Sequence, residues 1–168
     1  MPVSFKIVKN KIGPGTPTYI IFEVASTHGN DWEVAKKYVD RAADAGADAV
    51  KFQLFRAEKL LNPLTGHLQK TFDYFKTSEV PRDWFPKLKK LCDQREIDLL
   101  CTPFDKDSAN FLDKEIGLPA MKIASGDLTN YPLLEKVASF KKPVILATGM
   151  ADFEEVDSAV SVLKKNKN

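Results

Sequence analysis

The chain has 168 residues, of which 43% are hydrophobic and 29% charged, enough apolar material for one sizeable core. With 25 basic and 23 acidic residues, its net charge of +2 does not suggest a nucleic-acid partner. No apolar run approaches the roughly 20 residues of a membrane helix, and the amino terminus lacks the apolar segment of a signal peptide. Cys92 and Cys101 give neither a disulfide framework nor metal-ligand spacing. The composition predicts a soluble, cytoplasmic globular protein.

The predicted elements begin with a small β-hairpin within residues 1–18. The run Val3–Val8 alternates, a turn follows at Lys9–Asn10, and glycine and proline punctuate residues 13–17. Residues 19–168 then repeat one pattern five times, a short apolar strand followed by an amphipathic helix. The predicted strands are Tyr19–Val24, Ala49–Leu54, Asp98–Thr102, Ala120–Ala124 and Val144–Ala147. The predicted helices run from Asn30 or Asp31 to Ala45, then over Arg82–Gln94, Lys106–Glu115, Leu133–Ser139 and Phe153–Leu163.

This alternation predicts an α/β fold with a parallel sheet, either an open doubly wound sheet or part of a (β/α)8 barrel. No glycine-rich dinucleotide or phosphate-binding string opens any helix, so the commonest signature of the open sheet is missing. In the second strand, apolar residues occupy one face while Lys51 and Gln53 occupy the other. Glu23 in the first strand and Lys122 in the fourth likewise lie opposite the apolar face, late in the strand. A barrel interior with functional groups at the carboxyl ends of its strands explains this pattern.

The connection Arg56–Pro81 is long for a loop between a strand and its helix. It contains Phe72, Tyr74 and Phe75 and follows the carboxyl end of a strand. Two interpretations stay open: a covering loop with its own small cluster, or a segment that closes over substrate.

Five strings carry a family resemblance that runs from about Phe5 to the final helix. They are FEVASTHGND, AGADAVKFQLF, LLCTPFD, MKIASGDLTNYPLLE and KPVILATGM, in this order. The chain resembles the sialic acid synthases, that is, the N-acetylneuraminate synthases and their relatives for legionaminic, pseudaminic and spore-coat sugars. KIASGDLTN followed by KPVILATGM is the most specific part of the match.

The resemblance implies a (β/α)8 barrel that condenses phosphoenolpyruvate with an N-acylated hexosamine such as N-acetylmannosamine and releases phosphate. It implies a dimer and a divalent metal, manganese or magnesium. The chain then looks like the amino-terminal portion of such an enzyme, a partial barrel of about five units. The last three units, the metal-binding histidines they carry and a small antifreeze-like domain would be absent.

By the same resemblance, five polar residues match positions that hold phosphoenolpyruvate or neighbour them. Lys51, Thr102, Lys122 and Ser125 match the phosphoenolpyruvate positions, and Gln53 follows Lys51 in the same string. The phosphate and carboxylate of phosphoenolpyruvate bind to fixed cations and oriented hydroxyl groups. The two lysines supply the cations, and the threonine and serine supply the hydroxyl groups.

Two acids and a histidine complete the predicted site. Glu23 matches an acid that touches the amino sugar, and Asp127 an acidic position near the reacting centre, so both are catalytic candidates. His28 follows the first strand and is predicted to face the substrate rim. The chain departs from the family at Thr27, where many members have asparagine, and at Ala147, where many have serine.

Other interpretations stay open at this point. Lys51 and Lys122 could be barrel-lining residues neutralised by Glu23 and Asp127. Either lysine could be the nucleophile of a Schiff-base aldolase, or the chain could be a non-catalytic truncated paralogue. Neither His28 nor His67 makes a metal site with a nearby ligand pair, so no metal ligand is predicted in this chain. We expect the isolated chain to lack synthase activity and, because its sheet has unpaired edges, to self-associate.

Overall fold

The computed structural model describes residues 4–61 and 68–165. It opens with a hairpin in which β1 (Phe5–Ile7) and β2 (Asn10–Ile12) pair antiparallel. Val8 in the turn between them has a positive φ of 48°. The hairpin is confirmed for the described part of its range; the first residues of the predicted strand, up to residue 3, lie outside it.

The five strands that follow are parallel, as predicted. They are β3 (Ile21–Ala25), β4 (Ala49–Leu54), β5 (Asp98–Pro103), β6 (Met121–Ile123) and β7 (Val144–Leu146). One sheet has the order β3-β4-β5, the other joins β6 to β7, and β5 lies beside β6. Each of these strands, and each helix that the sequence predicts, begins and ends within two residues of the predicted positions.

The helices begin where the sequence offers capping side chains. Asp31, Asp105 and Asn130 each accept hydrogen bonds from the first backbone N–H groups of a helix.

None of the helices in the described ranges is long and apolar enough to cross a membrane. The helices are α1 (Trp32–Asp44), α2 (Ala57–Leu60), α3 (Gln69–Thr77), α4 (Trp84–Gln94), α5 (Lys106–Lys114), α6 (Tyr131–Ala138) and α7 (Phe153–Lys165).

The long connection Arg56–Pro81 is not all loop, because it contains α2 and α3. No side chain of α3 is fully buried, although its apolar residues are segregated to one helix face as clearly as those of the other helices. Phe75 of α3 packs edge-to-face on Phe55, with ring centroids 5.4 Å apart. Residues 62–67 of this connection lie outside the described part of the chain.

The helices pack on one face of the strands, and this decides between the two architectures. The large core joins the outer strand face, including Val50 and Phe52, to helix residues such as Leu88 and Leu112. A second, smaller cluster on the opposite face contains strand and hairpin residues but no residue of a helix in the described ranges. The chain therefore forms part of a (β/α)8 barrel, and the open doubly wound sheet is wrong.

The second cluster is the lower layer of the barrel interior. It lies at the amino ends of the strands, where the hairpin closes the barrel with Ile7 and Ile12. Its buried members are Ile7, Ala49, Leu100 and Ala120, and the partly buried residues against them are Ile12, Tyr19, Ile21 and Ile145.

Candidate functional site

The candidate site is the layer above, which we call the upper layer: Glu23, Lys51, Thr102 and Lys122. Strand register builds it, because each of these residues stands two positions beyond a lower-layer residue on the same strand. Glu23 lies opposite Lys51 in the β3–β4 pairing. All four side chains therefore share the interior face, as the parity of the sequence predicts.

Lys51 is the centre of this layer. Lys51 is only 6% exposed. Its ammonium group forms an ion pair with Glu23, and its Nζ lies 3.4 Å from Thr102 Oγ1. The Glu23 side chain is 46% exposed, so the pair joins a buried cation to a carboxylate that water still reaches. The Glu23–Lys51 pair lowers the cost of holding a lysine inside the barrel.

Lys122 brings a second cation to the same interior. It is partly buried, and its Nζ donates a hydrogen bond to the Ile123 carbonyl oxygen at 2.8 Å. Burial lowers the pKa of Lys122, the positive charge of Lys51 lowers it further, and Glu23 opposes both effects. The upper layer thus holds two ammonium groups that repel each other around one paired carboxylate, which is an arrangement that an anion would stabilise.

Gln53 and Ser125 border this layer at the carboxyl ends of the strands. Gln53 lies opposite Thr102 in the β4–β5 register and is partly buried. Ser125 opens a 3-10 turn, Ser125–Asp127, directly after β6. Both stand at the edge of the barrel where the resemblance requires them, and their contact with substrate stays a prediction.

Asp127 closes the same turn but faces a different partner. Its carboxylate accepts a hydrogen bond from Asn130 Nδ2 at 3.1 Å, and Asn130 in turn caps α6. Burial raises the pKa of Asp127, and the Asn130 hydrogen bond opposes the rise. Among the described residues Asp127 forms no ion pair with a lysine. Glu23 neutralises Lys51 as the lining interpretation requires, whereas Asp127 does not neutralise Lys122.

His28 lies elsewhere, and here the expectation of a rim-facing substrate ligand needs correction. The residue is 1% exposed, and its ring centroid lies 6.2 Å from that of Phe52 and 5.8 Å from that of Trp84. Phe52 belongs to the outer, helix-facing side of β4, so the imidazole is in the helix layer and not in the barrel interior. The physical reason is the turn after β3, which carries the chain outward before α1 begins.

One group that helps to build the site is invisible in the sequence. The Ala25 backbone N–H donates to Glu23 Oε1 at 3.0 Å, and Ala25 adopts a positive φ of 50°. The pairing of β3 with β4 shifts register between Glu23 and Ala25, as at a β-bulge. An alanine gives no signal for a positive φ, so this contact could not be found from residue types.

A divalent metal is implied by the resemblance, and the described part of the chain was searched for ligands that could hold one. In residues 4–61 and 68–165, no three histidine, cysteine, aspartate or glutamate side chains come together in a metal-binding cluster. Cys92 and Cys101 are buried, as expected of core thiols, and burial raises the pKa of Cys92 to about 12 and that of Cys101 further. Such thiols stay protonated and are poor ligands.

Known proteins resemble this chain over nearly its whole length. The model of the NeuB family matches residues 38–168. An uncharacterized protein of Methanocaldococcus jannaschii is 42% identical over 161 residues, a match that covers 96% of this chain and 46% of that protein. An N,N'-diacetyllegionaminic acid synthase of Campylobacter jejuni is 38% identical over 166 residues, with 89% of this chain and 47% of the relative covered.

A solved structure gives the same result. An N-acetylneuraminic acid (sialic acid) synthetase from Leptospira borgpetersenii superposes with a TM-score of 0.91 and 37% identity, over 100% of this chain and 57% of that one. The chain spans about half the length of the curated relatives it matches. Since the family model matches well over half of the sequence, and these relatives agree with it, the chain belongs to the NeuB family.

Proposed function

We propose that this chain supplies the phosphoenolpyruvate-binding part of a nonulosonic acid synthase, which condenses phosphoenolpyruvate with an N-acylated hexosamine and releases phosphate. The observation that carries the proposal is the pair of interior lysines, Lys51 and Lys122, beside Thr102 at the carboxyl ends of parallel strands. The synthase names of the relatives give the reaction class.

Phosphoenolpyruvate suits this layer because it carries two anionic groups. An anion between the two ammonium groups would relieve their mutual repulsion, and the Thr102 hydroxyl and Gln53 amide could donate hydrogen bonds to its oxygens. Beside the buried Lys51 and Thr102 such bonds are stronger than in water. The neutral hydroxyl and amide then orient the substrate while the lysines supply the charge.

In the proposed reaction, C3 of the enol attacks the aldehyde carbon of the open-chain sugar, and the aldehyde oxygen takes a proton. Water then adds to C2, and the tetrahedral intermediate expels phosphate to leave a 2-keto acid. Glu23, which is partly exposed beside Lys51, would contact the sugar, while Asp127 lies on the turn after β6.

We also propose that the complete enzyme requires manganese or magnesium and works as a dimer, as the resemblance implies. Within residues 4–61 and 68–165 no three potential ligands come together, so we place the metal ligands of the complete enzyme outside these residues.

Substitution of Lys122 tests the binding proposal. Lys122→Ala should weaken phosphoenolpyruvate binding by about 1.5–3 kcal/mol, the range for a hydrogen bond to a charged group, reduced by whatever water enters the layer. Calorimetric titration of the full chain at low salt measures this. Lys37→Ala removes the same charge from the exposed surface of α1 and should leave binding unchanged. Equal losses in both variants would show that only general positive charge is sensed.

The chain by itself should not complete the reaction, because the relatives that carry synthase names are about twice as long. Purified chain is incubated with phosphoenolpyruvate, N-acetylmannosamine and manganese, and phosphate release is followed. We expect none above the background without enzyme. Phosphate release at the rate of a full-length relative would contradict this expectation.

A Schiff-base aldolase is the second candidate, and the lowered pKa of Lys122 favours it because an unprotonated amine can attack a carbonyl. Borohydride reduction in the presence of pyruvate distinguishes the two. A trapped adduct on Lys122 would support the aldolase, whereas the synthase forms no imine.

A further inference from the structure

The turn that joins β3 to α1 has an unusual backbone. Ala25, Gly29 and Asn30 all have positive φ, at 50°, 56° and 56°. For alanine this conformation is unfavourable, so the surrounding contacts must maintain it. The Thr27 N–H donates to the Val24 carbonyl oxygen at 3.1 Å, which closes the first part of the turn.

This backbone sets the direction of the Glu23 carboxylate. Oε1 accepts from the Ala25 N–H at 3.0 Å, while the carboxylate also pairs with Lys51. The N–H of Ala25 points at Glu23 because the β3–β4 register shifts at this place. If the turn relaxed to ordinary φ values, that N–H would turn away and Glu23 would lose one of its two partners.

His28 holds the far side of the same turn. Its Nδ1 accepts a hydrogen bond from the Asn30 N–H at 3.0 Å, and its carbonyl oxygen accepts from the Asp31 N–H at 2.9 Å. Its ring contacts Phe52 of β4 and Trp84 of α4. An acceptor Nδ1 must be unprotonated, and burial lowers the pKa of His28 and thereby keeps the ring neutral.

Nε2 of His28 is buried and has no hydrogen-bond partner within the described ranges. A buried polar atom without a hydrogen-bond partner destabilises the folded state. An aliphatic or aromatic residue would fill the same space without this cost. The hydrogen bond from the Asn30 N–H to Nδ1 therefore has to offset the cost of the unpaired Nε2.

We propose that His28 is a positioning residue: through Nδ1 on the Asn30 N–H and its ring between Phe52 and Trp84, it fixes the β3–α1 turn so that Glu23 points at Lys51. Its importance for substrate binding rests on the proposed function. The geometric part of the inference concerns only the Glu23–Lys51 pair and can be tested without substrate.

Two substitutions separate the roles of the ring and of its nitrogen. His28→Phe keeps an aromatic ring but removes the acceptor for the Asn30 N–H. His28→Asn loses the ring but retains an oxygen that can accept from the N–H two residues on, as in an Asx turn. If Nδ1 orders the turn, asparagine rescues Glu23 and phenylalanine does not.

The measurement is the rate at which Lys51 is reductively methylated in the full chain, followed by peptide mass spectrometry. Lys51 is buried and paired, so the wild-type rate is low. We expect His28→Phe to raise it about fivefold, the equilibrium equivalent of one lost buried hydrogen bond, and His28→Asn to keep it within about twofold of wild type. Exposed Lys37 is the reference in each sample.

A matched control removes the effect of general destabilisation. Leu112→Ala empties part of the helix layer on α5, away from this turn, and should leave the Lys51 rate near wild type. The inference is overturned if Leu112→Ala raises the rate as much as His28→Phe, or if His28→Phe leaves it unchanged. If His28→Phe does not fold, His28→Asn and His28→Ala, which both lose the ring, make the same comparison.

Phosphoenolpyruvate titration of the same variants separates this inference from the proposed function. We expect His28→Phe to weaken binding about fivefold and His28→Asn to weaken it less. If wild type does not bind phosphoenolpyruvate, the proposed function fails while Lys51 methylation still decides the role of His28. If wild type binds and His28→Phe changes neither readout, the function stands and the positioning role is refuted.

Discussion

The lower and upper layers of the barrel interior lie on the same strands, two residues apart, and have opposite chemistry. Ala49 and Leu100 are in the apolar lower layer, and Lys51 and Thr102 follow them in the upper layer. The difference lies at the ends of the barrel. The hairpin covers the lower layer, whereas the upper layer opens at the carboxyl ends of the strands, where Glu23 keeps its side chain 46% exposed.

This comparison shows that position along a strand, and not the strand itself, decides whether an interior residue is apolar or charged. The hairpin shields the buried residues of the lower layer from water, and side chains that need no hydrogen bonds fit there without cost. An open layer lets water or a ligand solvate a charge. Substitutions in the lower layer, in the Glu23–Lys51 pair and at Asp127 should change the free energy of unfolding by successively smaller amounts.

Removing bulk from the lower layer should cost the most stability. Leu100→Ala should lower the free energy of unfolding by about 2–5 kcal/mol, because Leu100 is 1% exposed and its loss leaves a cavity. Urea denaturation measures the change. Tyr74→Ala on exposed α3 should change it by less than about 0.5 kcal/mol. A loss below about 1 kcal/mol for Leu100→Ala would mean that the lower layer is not a packed core.

Breaking the ion pair from either side should have unequal effects. Glu23→Gln leaves the buried Lys51 ammonium without its carboxylate and should cost about 1–3 kcal/mol. Lys51→Met removes the buried charge and leaves Glu23 partly solvated, so it should cost less. Urea denaturation of both variants decides. A larger loss for Lys51→Met would show that the pair itself, and not the burial of one charge, governs stability.

Asp127 should give the smallest effect, visible as a pH dependence. Because its pKa is raised above the ordinary 3.8, the folded state binds the proton more tightly than the unfolded state. Its contribution to stability is therefore greatest at low pH and is lost as pH rises from 3.8 through the raised value. Asp127→Asn has no such titration, and its amide oxygen can still accept from Asn130.

The stability of Asp127→Asn relative to wild type should therefore increase across that pH range and then level off near neutral pH. Urea denaturation at several pH values gives this difference. A relative stability that falls as pH rises would contradict the burial of the Asp127 carboxyl group.

Local sequence patterns specify the strands, most helices and the face on which each charged strand residue lies. Alternation has a period of two, so Lys51 and Gln53 must share a face whatever the tertiary structure. Aspartate and asparagine before apolar periodicity likewise marked the starts of helices, as at Asp31. These features depend on neighbours within a few residues, which the sequence shows directly.

Which functional groups meet depends on how distant segments of the chain pack together. Glu23 gains a second partner, the Ala25 N–H, at a register shift just beyond its own pairing with Lys51. His28 turns outward into the helix layer, and Asp127 pairs with Asn130 instead of Lys122. The helices α2 and α3 within the long connection were not predicted, and α3 buries no side chain completely. Each outcome depends on backbone angles or on contacts between distant segments, and residue types alone carry no signal for either.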